Sequence, residues 1–130
     1  MNFNHLKPKT LFFIRIFLGG TFFAQSVRAF SHQPDFLRLV SESPIFTFPL
    51  VSSWLTPDLF LTLVGVFDII IALLLFAGIK PRTTALHGFV WICIVMANSL
   101  IIGRIIETAD SIGYLGGLLA LIIWDKDKIT

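Results

Sequence analysis

The chain has 130 residues, 55% hydrophobic and only 14% charged, with a mean hydropathy of +0.85. Soluble domains carry about a quarter charged residues, so this composition excludes a soluble enzyme or binding module and leaves one membrane domain. The net charge of +2 is too small and dispersed for nucleic acid, and a lone Cys93 excludes an internal disulfide or a dithiol redox pair.

Residues 1–9 form a polar leader with His5, Lys7, Pro8 and Lys9. Residues 11–30 are the first apolar segment, and they resemble a secretory signal until Arg15 interrupts the apolar run. Three further spanning candidates follow, so the segment reads as a first transmembrane helix. Residues 31–58 are the longest connection. A short amphipathic piece at 34–41 sets Phe36, Leu37 and Val40 against Asp35 and Arg38. Pro44, Pro49 and Pro57 then rule out one continuous helix. Phe46, Phe48 and Trp54 give this stretch the character of a flap in the membrane interface. Two readings follow for it, a simple anchor or a lid over a cavity.

Residues 59–79 are a nearly unbroken apolar run, long enough to cross a hydrocarbon core of about 30 Å. Asp68 lies near its middle, where an unpaired charge costs at least about 2.5–3.5 kcal/mol. Lys80, Pro81 and Arg82 make a tight basic turn, and residues 84–102 form the third span. The last apolar run, 112–124, is too short alone, so the fourth span is predicted over 107–124. The predicted fold is an all-α, four-helix transmembrane bundle filling residues 1–130. Lys7, Lys9, Lys80, Arg82, Lys126 and Lys128 gather at one end of it, which predicts cytoplasmic termini.

The intramembrane polar residues are the candidate site. Counting about 1.5 Å per residue from the span ends puts Arg15 and Asp68 within roughly 7 Å in depth, a gap that an arginine side chain covers. This predicts a buried Arg15–Asp68 ion pair with His87 below it. Gln25 and Asn98 share a second layer, and Arg28 lies one turn higher, within reach of Glu107 or Asp110. Trp91 stands between His87 and Asn98 on one helix face, and Gly65, Asp68 and Ala72 make a small-residue stripe. Each polar residue also has a plainer reading: interhelical glue for the Arg15–Asp68 pair, Gln25 and Asn98, and an interfacial side chain for His87. No metal cluster, nucleotide loop or nucleophile–base pair is present in the sequence. Gly113-x-x-x-Gly117 and Gly116-x-x-x-Ala120 suit close helix packing, within the bundle or in a homo-oligomer.

Together these residues resemble the DoxX family of small four-helix bacterial membrane proteins, with its DoxD relatives. The carrying features are Arg15 in FFIRIFLGG, Asp68 ten residues before Gly78, and the Arg82-Thr83-Thr84-Ala85-Leu86 start of the third span. The chain departs from the family's more usual glutamate at Asp68, from a Gly-x-x-Lys-like end of span one at Gln25–Arg28, and from a late histidine near Asn98. The resemblance implies a multi-pass protein of the bacterial inner membrane, linked to redox and oxidative-stress systems. It further implies an accessory, non-catalytic subunit of a redox-enzyme partner. Such a subunit has no intrinsic cofactor and faces a quinone through a polar cavity lined by Arg15, Asp68 and Arg28, to which the depth layering adds His87, Gln25 and Asn98 as candidates. The competing classes are a small transporter or proton-linked permease titrating Asp68, and a scaffold whose polar pairs only hold the bundle.

Overall fold

A computed structural model describes residues 7–127, and His5 and Lys128 lie outside them. Four long helices form the body: α1 (Lys7–Phe30), α4 (Pro57–Ala77), α5 (Pro81–Ile101) and α6 (Ile105–Trp124). Each is long and apolar enough to cross a membrane. The connection after α1 holds α2 (Pro34–Ser41), a 3₁₀ turn (Pro44–Thr47) and α3 (Pro49–Ser52). No strand occurs among the described residues.

The helix boundaries follow from local chemistry. Helices α2, α3, α4 and α5 and the 3₁₀ turn all begin with proline, which has no N–H to lose at a first helical position. Thr56 caps α4 by accepting the Leu59 N–H at 3.2 Å. Gly78 ends α4 at φ 67°, with the Ile79 N–H reaching back to the Leu74 carbonyl at 3.0 Å. Gly103 ends α5 the same way at φ 78°. The sequence-based spans shift accordingly. The first helix includes the leader from Lys7 rather than starting at 11, and the second stops at Ala77, two residues short of 79.

Helix α1 packs along α4 and α5 along α6, and the two pairs meet through α1 against α6 and α4 against α5. Leu18, Phe22, Ile71, Leu75, Leu118 and Leu121 form the main core. A second core, Ala29, Val40, Leu61 and Val64, sits under the amphipathic α2. Outward-facing Phe13, Phe17, Val90 and Ile94 stay exposed. Such a surface suits contact with lipid hydrocarbon. A Cβ added at Gly117 would lie only 3.3 Å from the Leu18 methyls, so Gly117 packs inside the bundle, whereas Gly113 and Gly116 face open space. Of the Gly113/Gly117 pattern, Gly117 therefore packs within the bundle and Gly113 lies on its outer surface.

The start of α1 and the chain's C-terminal tail lie at the same end, where the tail fastens α5. Lys80, the residue at the N-cap of α5, contributes no side-chain cap. Asp127 does so from the far end of the sequence: its Oδ1 accepts the N–H groups of Arg82 (2.9 Å) and Thr83 (3.3 Å), and its Oδ2 accepts the Thr83 hydroxyl. Arg82 in return donates to the Ile123 carbonyl at 3.3 Å, near the end of α6. The Thr83 hydroxyl, with the two backbone donors, outweighs desolvation and holds the Asp127 carboxyl below its ordinary value of 3.8. A lowered carboxyl pKa stabilises the fold above the ordinary value, and this contribution disappears as pH falls through the lowered one. Asp127→Asn is therefore expected to melt below wild type at neutral pH, with the gap closing below about pH 4. Thermal melts in detergent across pH 3–7 check this, and a gap that widens in acid would contradict it.

Candidate functional site

A cavity of about 530 Å³ lies between the two helix pairs, at the end away from the termini. This is within the range of sites for small organic ligands, about 300–1,000 Å³. Its walls are largely apolar and aromatic: Phe22 from α1, Phe60 and Val64 from α4, Trp91 and Val95 from α5, and Tyr114 from α6. The flap forms its roof through Phe36, Val40, Ser43, Pro44, Ile45 and Phe48. Of the two readings of residues 31–58, the lid thus matches the geometry, while the exposed Leu50 and Trp54 suit an interfacial anchor as well.

Four of the six sequence-predicted site residues line this one cavity: Gln25, Arg28, Asp68 and Asn98. Asp68 is only 3% exposed, and its Oδ1 accepts the indole N–H of Trp91 at 3.1 Å. No cation lies within ion-pair distance of it among the described residues. Asn98 Oδ1 accepts the Ser43 hydroxyl at 2.7 Å, tying α5 to the roof. Trp91 and Asn98 are seven residues apart, two helical turns or about 10 Å along α5. The cavity therefore has a polar group at each end.

The predicted Arg15–Asp68 pair does not form. Arg15 faces Asp125 in the C-terminal tail, with Nε and Oδ2 3.8 Å apart and neither atom hydrogen-bonded. Its guanidinium lies against Gly78. The reason is register. Close approaches of Arg15 to Gly78, Gly19 to Phe76 and Phe30 to Gly65 set α1 antiparallel to α4, with Asp68 level with Gln25 and Ser26. About ten residues, ~15 Å along the axis, then separate Arg15 from Asp68. Counting depth from the two span ends separately placed Arg15 too deep, because the first turns of α1 extend past the end of α4 and leave Arg15 level with Gly78.

His87 is also outside the cavity. It is exposed beside Phe67, Val90 and Trp91, and its Nδ1–H donates to the Thr83 carbonyl at 2.8 Å, as an interfacial side chain would. Arg28 does not pair with Glu107 or Asp110. It donates to Gln33 at 2.6 Å and Gln25 at 3.4 Å, and lies over the Phe36 ring at 5.3 Å. Glu107 instead meets Arg104 at 3.4 Å, and Arg104 lies 3.7 Å from Glu42 at the end of α2. The Arg38 hydrogen bond, aided by Arg104, holds the Glu42 carboxyl below its ordinary range. With Ser43–Asn98, this charge chain clasps the flap to the α5–α6 side.

Sequence reasoning missed Trp91 as the partner of Asp68, Tyr114 as a wall and Ser43 as the roof contact. The two-turn spacing of Trp91 and Asn98 on one face was the available signal for the first. A four-helix body with apolar outer faces and a roofed internal cavity defines a small multi-pass membrane protein that can hold an amphipathic molecule. The chain belongs to the DoxX family, whose sequence profile matches residues 10–104. No curated protein and no solved structure matches it.

Proposed function

We propose that this DoxX protein is an accessory membrane subunit of a redox or oxidative-stress system and holds a quinone-type ring in its roofed cavity. The observation that carries this reading is the Asp68–Trp91 pair buried at one end of an aromatic cavity, with Asn98 at the other. Their separation of about 10 Å along α5 suits one six-membered ring with oxygens at opposite ends, each in a hydrogen bond. Phe22, Phe60 and Tyr114 supply ring faces for stacking. The polar residues fit such a ligand: Asn98 and Gln25 retain amide donors for a ring oxygen, and Asp68 retains an acceptor. The quinone, when bound, would supply the two-electron chemistry, and the chain's own residues orient it and shield it from water.

The basic end, with Lys7, Lys9, Lys80, Arg82 and Lys126, is assigned to the cytoplasm, which puts the cavity in the outer half of the bacterial inner membrane. The redox catalyst is assigned to a partner protein. Membrane vesicles carrying wild type or Asp68→Asn at equal abundance test the reading. Quinone-dependent electron transfer from thiol or sulfur-compound donors is expected to fall at least about tenfold in the variant, because an amide cannot exchange a proton with the ring as the carboxyl can. Equal rates from equal amounts of protein would remove it.

A further inference from the structure

The cavity differs in chemistry on its two sides. Towards α1 and α6 its lining includes Arg28 and Asp110, both charged and exposed. A hydrocarbon chain passing there would strip water from charged groups, which is costly. Towards α4 and α5 the lining residues that reach the surface are Ile94 and Ile101, both exposed. They lie two helical turns apart on one face of α5. Ile94 also belongs to a second hollow, a groove of about 390 Å³ between α4 and α5, with Phe67, Leu86, His87, Val90 and Trp91. Leu86 and Val90 are exposed, so the groove is open on the lipid-facing surface. Trp91 and Ile94 are thus walls of both spaces. From Ile94 back to His87 the groove follows two turns of α5, about 10 Å, through the middle of that helix.

We infer that the molecule in the cavity carries a hydrocarbon tail, which leaves between α4 and α5 over Ile94 and lies in the groove of Phe67, Leu86 and Val90. The inference rests on the quinone-type reading of the cavity and adds the class of ligand, a lipid-tailed ring rather than a water-soluble one. Ring and tail divide the two spaces by chemistry. Gln25, Asp68 and Asn98 line only the cavity. In the groove the Trp91 N–H is taken up by Asp68, and His87, at the far end, is held on the Thr83 carbonyl. A tail in the groove stays at hydrocarbon depth, while the ring sits nearer the outer interface. Lipid chains are as apolar as the groove, so the tail gains little affinity there. What the groove sets is the path of the tail, and with it the direction in which the ring enters.

The test is photo-crosslinking of the full chain in phospholipid nanodiscs with a benzoquinone whose alkyl tail carries a diazirine, read by mass spectrometry of the digested protein. Adducts are expected on residues 86–94 and on Phe67, and an excess of the same tailed quinone without the diazirine is expected to abolish them. Val90 lies at the surface and lines the groove alone, so Val90→Trp fills the groove without entering the cavity. In that variant these adducts are expected to be lost, while a tailless benzoquinone still binds with wild-type affinity by calorimetry. Competed adducts confined to α1 and α6 would overturn the inference while leaving the quinone-type site standing. With the tailless ring still bound, adducts on α5 that the excess does not reduce would also overturn it, because ordinary lipid chains then cover the groove. Adducts unchanged in Val90→Trp would overturn the assignment to this groove. If neither the tailed nor the tailless ring bound, the inference and the reading beneath it would fall together.

Discussion

Gly78→Ala is expected to destabilise the protein by about 2–5 kcal/mol, against about 1–2 kcal/mol for Gly103→Ala. Both glycines end a helix in the left-handed region, at φ 67° and 78°, where a side chain brings the same backbone cost. Their surroundings differ. A Cβ at Gly103 would meet nothing, whereas a Cβ at Gly78 would run into the Arg15 guanidinium. Arg15 would have to move, and it would lose Asp125, whose Oδ2 has no other partner among the described residues. Thermal melts of the two variants in one detergent measure the difference. Repeating Gly78→Ala in an Arg15→Ala background should reduce its cost to that of Gly103→Ala, since nothing remains to be displaced. Equal costs for the two glycines in the wild-type background would show that Arg15 does not occupy this corner.

The second large effect concerns Trp91. Trp91→Phe removes the one hydrogen bond that Asp68 receives among the described residues and leaves a carboxyl 3% exposed in an apolar wall. A loss of about 1–3 kcal/mol is expected from the unpaired group, beyond the packing lost with the indole. Asp68→Leu with Trp91→Phe should recover most of that loss, because replacing both partners of a buried polar pair by apolar groups is often nearly neutral. The double variant should then accumulate and melt near wild type while binding no quinone-type ring. If it remained as unstable as Trp91→Phe alone, the pair would be required by the fold itself, and the scaffold reading would gain.

Much of the fold was legible from runs and breaks in the sequence. Apolar lengths separated by Pro57, Gly78-to-Pro81 and Gly103 locate four helices because glycine and proline have local effects that packing does not reverse. The basic residues showed which helix ends share a side. The site was legible in membership more than in pairing. Gln25, Arg28, Asp68 and Asn98 stood out as polar groups in apolar helices, and they share one cavity. Pairing depends on register between helices, and register is set by contacts such as Phe30 against Gly65 that no single helix encodes. A depth error of a few residues in how far α1 runs past the end of α4 was enough to assign Arg15 to Asp68 instead of Asp125. Asp127 was illegible for a related reason. In sequence it belongs to a charged tail, and only the meeting of the tail with Thr83 makes it a helix cap.

The central claim is that the roofed cavity holds a quinone-type ring. Its most direct test is to purify the full chain from membranes in mild detergent and quantify quinone extracted with it, for wild type beside Val95→Trp. Val95 lines the cavity, and tryptophan there fills the space a ring would take. Wild type should carry quinone in a stoichiometric amount, and Val95→Trp, purified at the same yield, should carry almost none. Wild type empty of quinone, or the same content in both proteins, would contradict the account.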